Sequence, residues 1–122
     1  MTLHPDFSPV FEELRDILQP YAKKLTVKIN SAEGFSLDGP YNEKWKKELF
    51  FGAVHIKKNY VSFYLMPLYM YPDLLGNVSP ELKKHMQGKS CFNFKKVERS
   101  LLNELRKLTQ QGFERYMKGE YS

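Results

Sequence analysis

One cysteine, Cys91, stands in the whole 122-residue chain, so no internal disulfide can form, in keeping with a reducing compartment. Long apolar runs are missing too. The longest mainly apolar stretch, Tyr60 to Tyr71, is broken by Ser62 and Pro67 and falls far short of the roughly 20 residues of a membrane helix. The first twenty residues alternate apolar with acidic and turn residues, without the basic start and apolar centre of an export signal. The expectation is a soluble, cytoplasmic protein with no membrane partner. Catalytic signatures are equally scarce: no G-x-S-x-G, P-loop or G-x-G-x-x-G is present, and no enzyme is expected. His4, His55, His85 and Cys91 lie far apart, with no His-x-x-His, Cys-x-x-Cys or His-Glu-x-x-His spacing, so neither a metal nor a cofactor is expected.

What is present suits one globular domain over residues 1–122. Apolar residues make up 42% and aromatics 15%, with ordinary counts of seven Gly and seven Pro. A chain of this length buries roughly two-thirds of its unfolded surface, and no repeat or linker divides it. The net charge of +5 raises the question of an anionic partner. The excess is one basic residue in positions 1–61 and four in positions 62–122. Lys83, Lys84, Lys89, Lys95, Lys96 and Arg99 face only Glu98 within their stretch. Their spacing is irregular, so a solvated face is expected and nucleic acid is not.

Periodicity sets the elements. Phe7, Val10, Phe11, Leu14, Ile17, Leu18 and Tyr21 mark one helical face, with Ser8 as N-cap, Pro9 at the first position and a stop near Pro20. Leu25, Val27 and Ile29 alternate with polar residues as a half-buried strand. Gly34 turns into a short strand over Phe35 to Leu37, and Asp38, Gly39 and Pro40 make a break before a polar connector, Tyr41 to Lys47, that carries Trp45. The runs Leu49 to Ile56 and Tyr60 to Met66 form a hairpin around Lys58 and Asn59, Asn59 suiting a positive φ. That register sets Val54 opposite Phe63 and Ile56 opposite Val61. It puts Phe50, Gly52, Val54, Ile56, Val61, Phe63 and Leu65 on an apolar face and Phe51, Ala53, His55, Tyr60, Ser62, Tyr64 and Met66 on a mixed one. Pro67 and Pro72 limit residues 68–75 to irregular structure or one helical turn. Ser79 and Pro80 open a short helix to about Met86 that Gly88 ends; Cys91 to Phe94 reads as a strand, and residues 97–118 as the longest helix. The fold class is α+β: an antiparallel sheet of four to five strands with the N-terminal and C-terminal helices packed on one face.

The mixed face carries the candidate site. His55 falls opposite Ser62 and beside Tyr60 and Tyr64. With the segment from Tyr69 through Lys89 folded over them, the aromatics Phe51, Tyr60, Tyr64, Met66, Tyr69 and Tyr71 would wall a pocket; uncovered, they would form a protein or homodimer interface. His55, Tyr64, Lys89, Asn93 and Tyr41 are the expected ligand-binding residues, with Lys89 supplying charge for a small anionic molecule. Cys91 reads as a small buried hydrophobe; as a nucleophile with His55 as base it would need the two within about 3 Å.

The strand Phe50-Phe51-Gly52-Ala53-Val54 with Lys57, Lys58 and Asn59, and the segment Met86-Gln87-Gly88-Lys89-Ser90-Cys91-Phe92-Asn93-Phe94, resemble the YdhG-like family of small bacterial domains of unknown function, within the stretch from Asp38 to Val97. The resemblance implies the same order of helix, sheet and helix. Some members are described as frataxin-like intracellular iron chaperones, and this makes iron delivery the alternative function. Such a chaperone binds iron through clustered carboxylates, for which the first helix offers Glu12, Glu13 and Asp16.

Overall fold

The computed structural model describes residues 7–42 and 46–118; Trp45 lies outside them. Helix α1 (Ser8–Leu18) carries its apolar stripe inward, with Val10, Phe11, Leu14, Ile17 and Leu18 all buried. Its N-cap is Phe7, so Ser8 is the first helical residue rather than the cap. At Pro20, which lacks a backbone donor, the α-helix has already given way to a 3-10 turn over Gln19–Lys23. Five strands follow in antiparallel order: β1 (Thr26–Asn30), β2 (Gly34–Asn42), β3 (Lys47–Ile56), β4 (Val61–Leu65) and β5 (Cys91–Phe94). Between β4 and β5 the chain makes α2 (Met66–Met70), a 3-10 turn (Pro72–Asn77) and α3 (Pro80–Lys83), and α4 (Arg99–Lys118) closes the fold. Here the expected cap does form, since Ser79 Oγ accepts from the Leu82 amide. Helix α3 stops at Lys83, short of Met86, which instead bridges to Phe92.

The hairpin register is the expected one: Val54 pairs with Phe63 and Ile56 with Val61. Lys57 N donates to Tyr60 O (2.7 Å) across Lys58 and Asn59. Asn59 does not take the expected positive φ; among the described residues Lys46 is the non-glycine that does. Val54, Val61, Phe63 and Leu65 are buried beneath α1 and α4 together with Phe35, Leu37, Phe92 and Phe94.

Three further expectations fail, each through pairing or reach that alternation does not encode. First, β2 runs through Asp38, Gly39 and Pro40 instead of breaking there, absorbing them as register shifts. Gly39 allows a close approach: a Cβ there would collide with the hydroxyl of Tyr116 on α4, which donates to Leu49 O (2.8 Å). Second, Leu37 pairs with Gly52 while Asp38 pairs with Phe50, so Phe51 is a bulge residue. The bulge turns Phe51 off the mixed face into the core, fully buried against Tyr21, Phe113 and Tyr116. Phe50, expected in the core, stays half-buried. Third, β1 is exposed at all five positions instead of half-buried. It is the edge strand, and α1 packs over β3 and β4, beyond whose reach Val27 and Ile29 remain 42% and 43% accessible.

Candidate ligand cleft on the open sheet face

No described helix packs on the second sheet face, and the segment expected to cover it does not. Leu68, Tyr71, Val78 and Leu82 from that segment are buried with the helix layer; Tyr71 donates to Arg115 O on α4 (3.2 Å). The anticipated lid is therefore part of the core, because its apolar side chains find more area beneath α4 than on a flat sheet.

Cross-strand pairing lays out the open face in rows. Ser36 pairs with Ala53, Ala53 with Tyr64 and Tyr64 with Cys91; in the next row Gly34 pairs with His55, His55 with Ser62 and Ser62 with Asn93. His55 and Tyr64 thus share one surface, as their alternation implies, and the β4–β5 pairing adds Asn93 to it. The His55 and Tyr64 rings meet edge-on at 6.2 Å. Asn93 is the hub: its Oδ1 accepts from Ser62 Oγ (2.7 Å) and Cys91 Sγ (3.5 Å), and its Nδ2 donates to Gln87 Oε1 (2.7 Å). Partial burial, followed by the charge of Lys57, holds His55 below its ordinary value. Burial pushes the Cys91 thiol up, against the opposing effects of hydrogen bonds with Ser62 and Tyr64 and of Lys57. A raised thiol is a poor nucleophile. Strand β4 also separates His55 from Cys91, with the backbones of β3 and β5 about 9.5 Å apart, so the pair has no catalytic contact.

The remaining predicted residues fall elsewhere. Lys89 is exposed at a hairpin tip, its ammonium 5.9 Å from the Tyr69 ring centroid. Gly88 makes that tip with φ of +80°, a conformation natural to glycine, and Gln87 N donates to Cys91 O to close it (2.9 Å). The hairpin carries Lys89 toward α2 and away from His55. The Tyr41 side chain lies outside the described residues. The aromatic set also divides, with Phe51 and Tyr71 buried and Tyr69 61% exposed.

At the β5 corner the open face deepens into a cleft of about 420 Å3, lined by Tyr60, His85, Asn93, Lys95, Lys96 and Glu98. The register that pairs Val61 with Phe94 brings Tyr60 beside Lys95, so the cleft wall carries an aromatic residue and two lysines. His85 forms the wall. Its ring stacks on Phe94 (4.5 Å, 19°), Nδ1 lies 2.9 Å from Asn93 O, and Nε2 lies 3.2 Å from Glu98 Oε2. Both nitrogens face acceptor oxygens. His85, Lys95 and Lys96 were legible in the sequence only as a scattered histidine and a basic stretch. The signal that joins them is the chain reversal at Gly88, which sets residue 85 against residue 93.

Two of the three acids of α1 have cationic neighbours: Glu13 accepts from Arg99 (2.6 Å) and Asp16 lies 3.8 Å from Arg15. Among the described residues no group of three or more His, Cys, Asp or Glu is placed to hold a metal ion, and no helix is long and apolar enough to cross a membrane. Comparison of the chain with protein-family models, curated proteins and solved structures found no match.

Proposed function

We propose that the protein is a non-enzymatic binding module that takes a small anionic molecule in the cleft at the β5 corner of its open sheet face. The observation that carries this reading is that Tyr60, Lys95 and Lys96 line one concave site together with Asn93: apolar contact area with a few placed polar groups is the usual make-up of a small-ligand site. Glu98 reduces the positive charge there, its carboxylate lying 3.2 Å from His85 Nε2. The reading keeps Asn93 from the sequence-based set, moves the basic role from Lys89 to Lys95 and Lys96, and leaves His55 and Tyr64 as the adjoining floor.

A ligand that binds only the folded chain raises its stability by about 2.7 kcal/mol at a hundred times Kd, on the order of 10 °C in Tm for a domain this size. A thermal-shift titration with pyrophosphate and citrate is expected to give a dose-dependent rise that a Lys95→Gln, Lys96→Gln double variant loses. A flat response in the native chain refutes the reading. Ferrous iron belongs in the same titration as the frataxin-like alternative suggested by the YdhG-like resemblance, although Glu13 and Asp16 already have cationic neighbours. A second reading, a protein partner or second copy on the His55 and Tyr64 surface, draws on the absence of a described helix over that face. In that case a Tyr64→Asp variant loses association while anion binding persists.

A further inference from the structure

Building on the anion-binding reading, we infer that the cleft takes a planar ring bearing a phosphate, the chemistry of a nucleoside monophosphate. The charge around the cleft suits a dianion better than a single carboxylate. Lys95 and Lys96 line it, and the exposed Lys57 and Lys58 occupy the turn that leads into Tyr60. Glu98, 3.2 Å from His85 Nε2, and Glu33, on the β1–β2 turn whose carbonyl accepts from Ile56 N, offset part of that charge, while Glu13 is paired with Arg99. A phosphate monoester carries close to two negative charges at neutral pH, and lysine binds phosphate as a point charge.

The rest of the site suits a ring. Tyr60 is half-buried, so part of its surface stays open to a ligand. Base-on-aromatic stacking is tolerant of base identity and contributes on the order of 1–3 kcal/mol. Beside it lies the Asn93 amide. It commits one Nδ2 proton to Gln87 Oε1, which leaves its second amide proton to meet the edge of a heterocycle. The volume of about 420 Å3 lies within the range of about 300–1,000 Å3 of small-ligand sites, room for ring and phosphate together.

Isothermal titration calorimetry of the full chain at low salt tests this with three probes: adenosine monophosphate, adenosine and pyrophosphate. The expected result is that the monophosphate binds at least about tenfold more tightly than either of the others. Tyr60→Leu should weaken the monophosphate about tenfold and leave pyrophosphate unchanged, with Tyr60→Phe retaining affinity. The Lys95→Gln, Lys96→Gln variant should weaken both phosphates. Unchanged thermal midpoints show that each variant is folded, and Tyr60→Phe keeps the test valid should Tyr60→Leu lose structure. Pyrophosphate binding as tight as the monophosphate, or indifference of the monophosphate to Tyr60→Leu, overturns the ring-bearing ligand while anion binding stands. Failure of every anion to titrate overturns both.

Discussion

Replacing Phe51 by alanine separates the bulged sheet from a regularly alternating one. In a regular strand Phe50 would face the helices and Phe51 the open side; in the folded chain Phe51 is fully buried and Phe50 only partly. The Phe51 ring lies 5.3 Å from Tyr116, 5.7 Å from Phe113 and 6.0 Å from Tyr21. Emptying such a site costs about 3–5 kcal/mol, from lost transfer energy and the cavity left behind, and the ring pairs add to that loss. Against a total stability of about 6–18 kcal/mol for a chain of this length, between about a sixth and most of it would go. Phe50→Ala should cost about 1–2 kcal/mol, since less surface returns to water. In urea, with a slope of about 1.5 kcal/mol per molar, Phe51→Ala lowers the midpoint by about 2–3 M and Phe50→Ala by about 1 M. The slopes must agree with the wild type for the comparison to hold. Equal losses, or a larger loss for Phe50→Ala, would refute the bulge as the reason Phe51 is in the core.

Two further outcomes follow from the open face. His55 is held below its ordinary 6.5 by partial burial and by Lys57, so as pH falls the unfolded chain takes up this proton first. The contribution of His55 is complete above about pH 6.5 and is lost as pH drops below it; His55→Gln should therefore show a shallower decline in urea midpoint between about pH 7 and 5, and identical slopes would contradict this. Cys91 is half-buried with its thiol pushed up, so a thiol reagent at mildly alkaline pH should label the native protein more slowly than the urea-unfolded chain. Equal rates would show that the thiol is not shielded.

Whatever depends on neighbours along the chain could be read from residue order. The stripe of α1 follows from the spacing of Val10, Phe11, Leu14, Ile17 and Leu18, and all five are buried. The β3–β4 register follows from two apolar runs across a two-residue turn, and the pairing of Val54 with Phe63 is the result. That alternation also brings His55 and Tyr64 to one face, so this part of the candidate surface was legible in residue order as well, whereas Asn93 joins them through the β4–β5 pairing. Contacts between distant segments set the rest. The bulge at Phe51 exists because β2 and β3 do not keep step, a relation between two strands that neither stretch of sequence states alone. The exposure of β1 reflects how far α1 reaches across the sheet. The cleft joins residue 60 to residues 85, 93 and 95–98 because the β4–β5 pairing and the reversal at Gly88 bring them together. A local period fixes which side of an element is apolar; what lies opposite that side is settled only when distant segments compete to cover it.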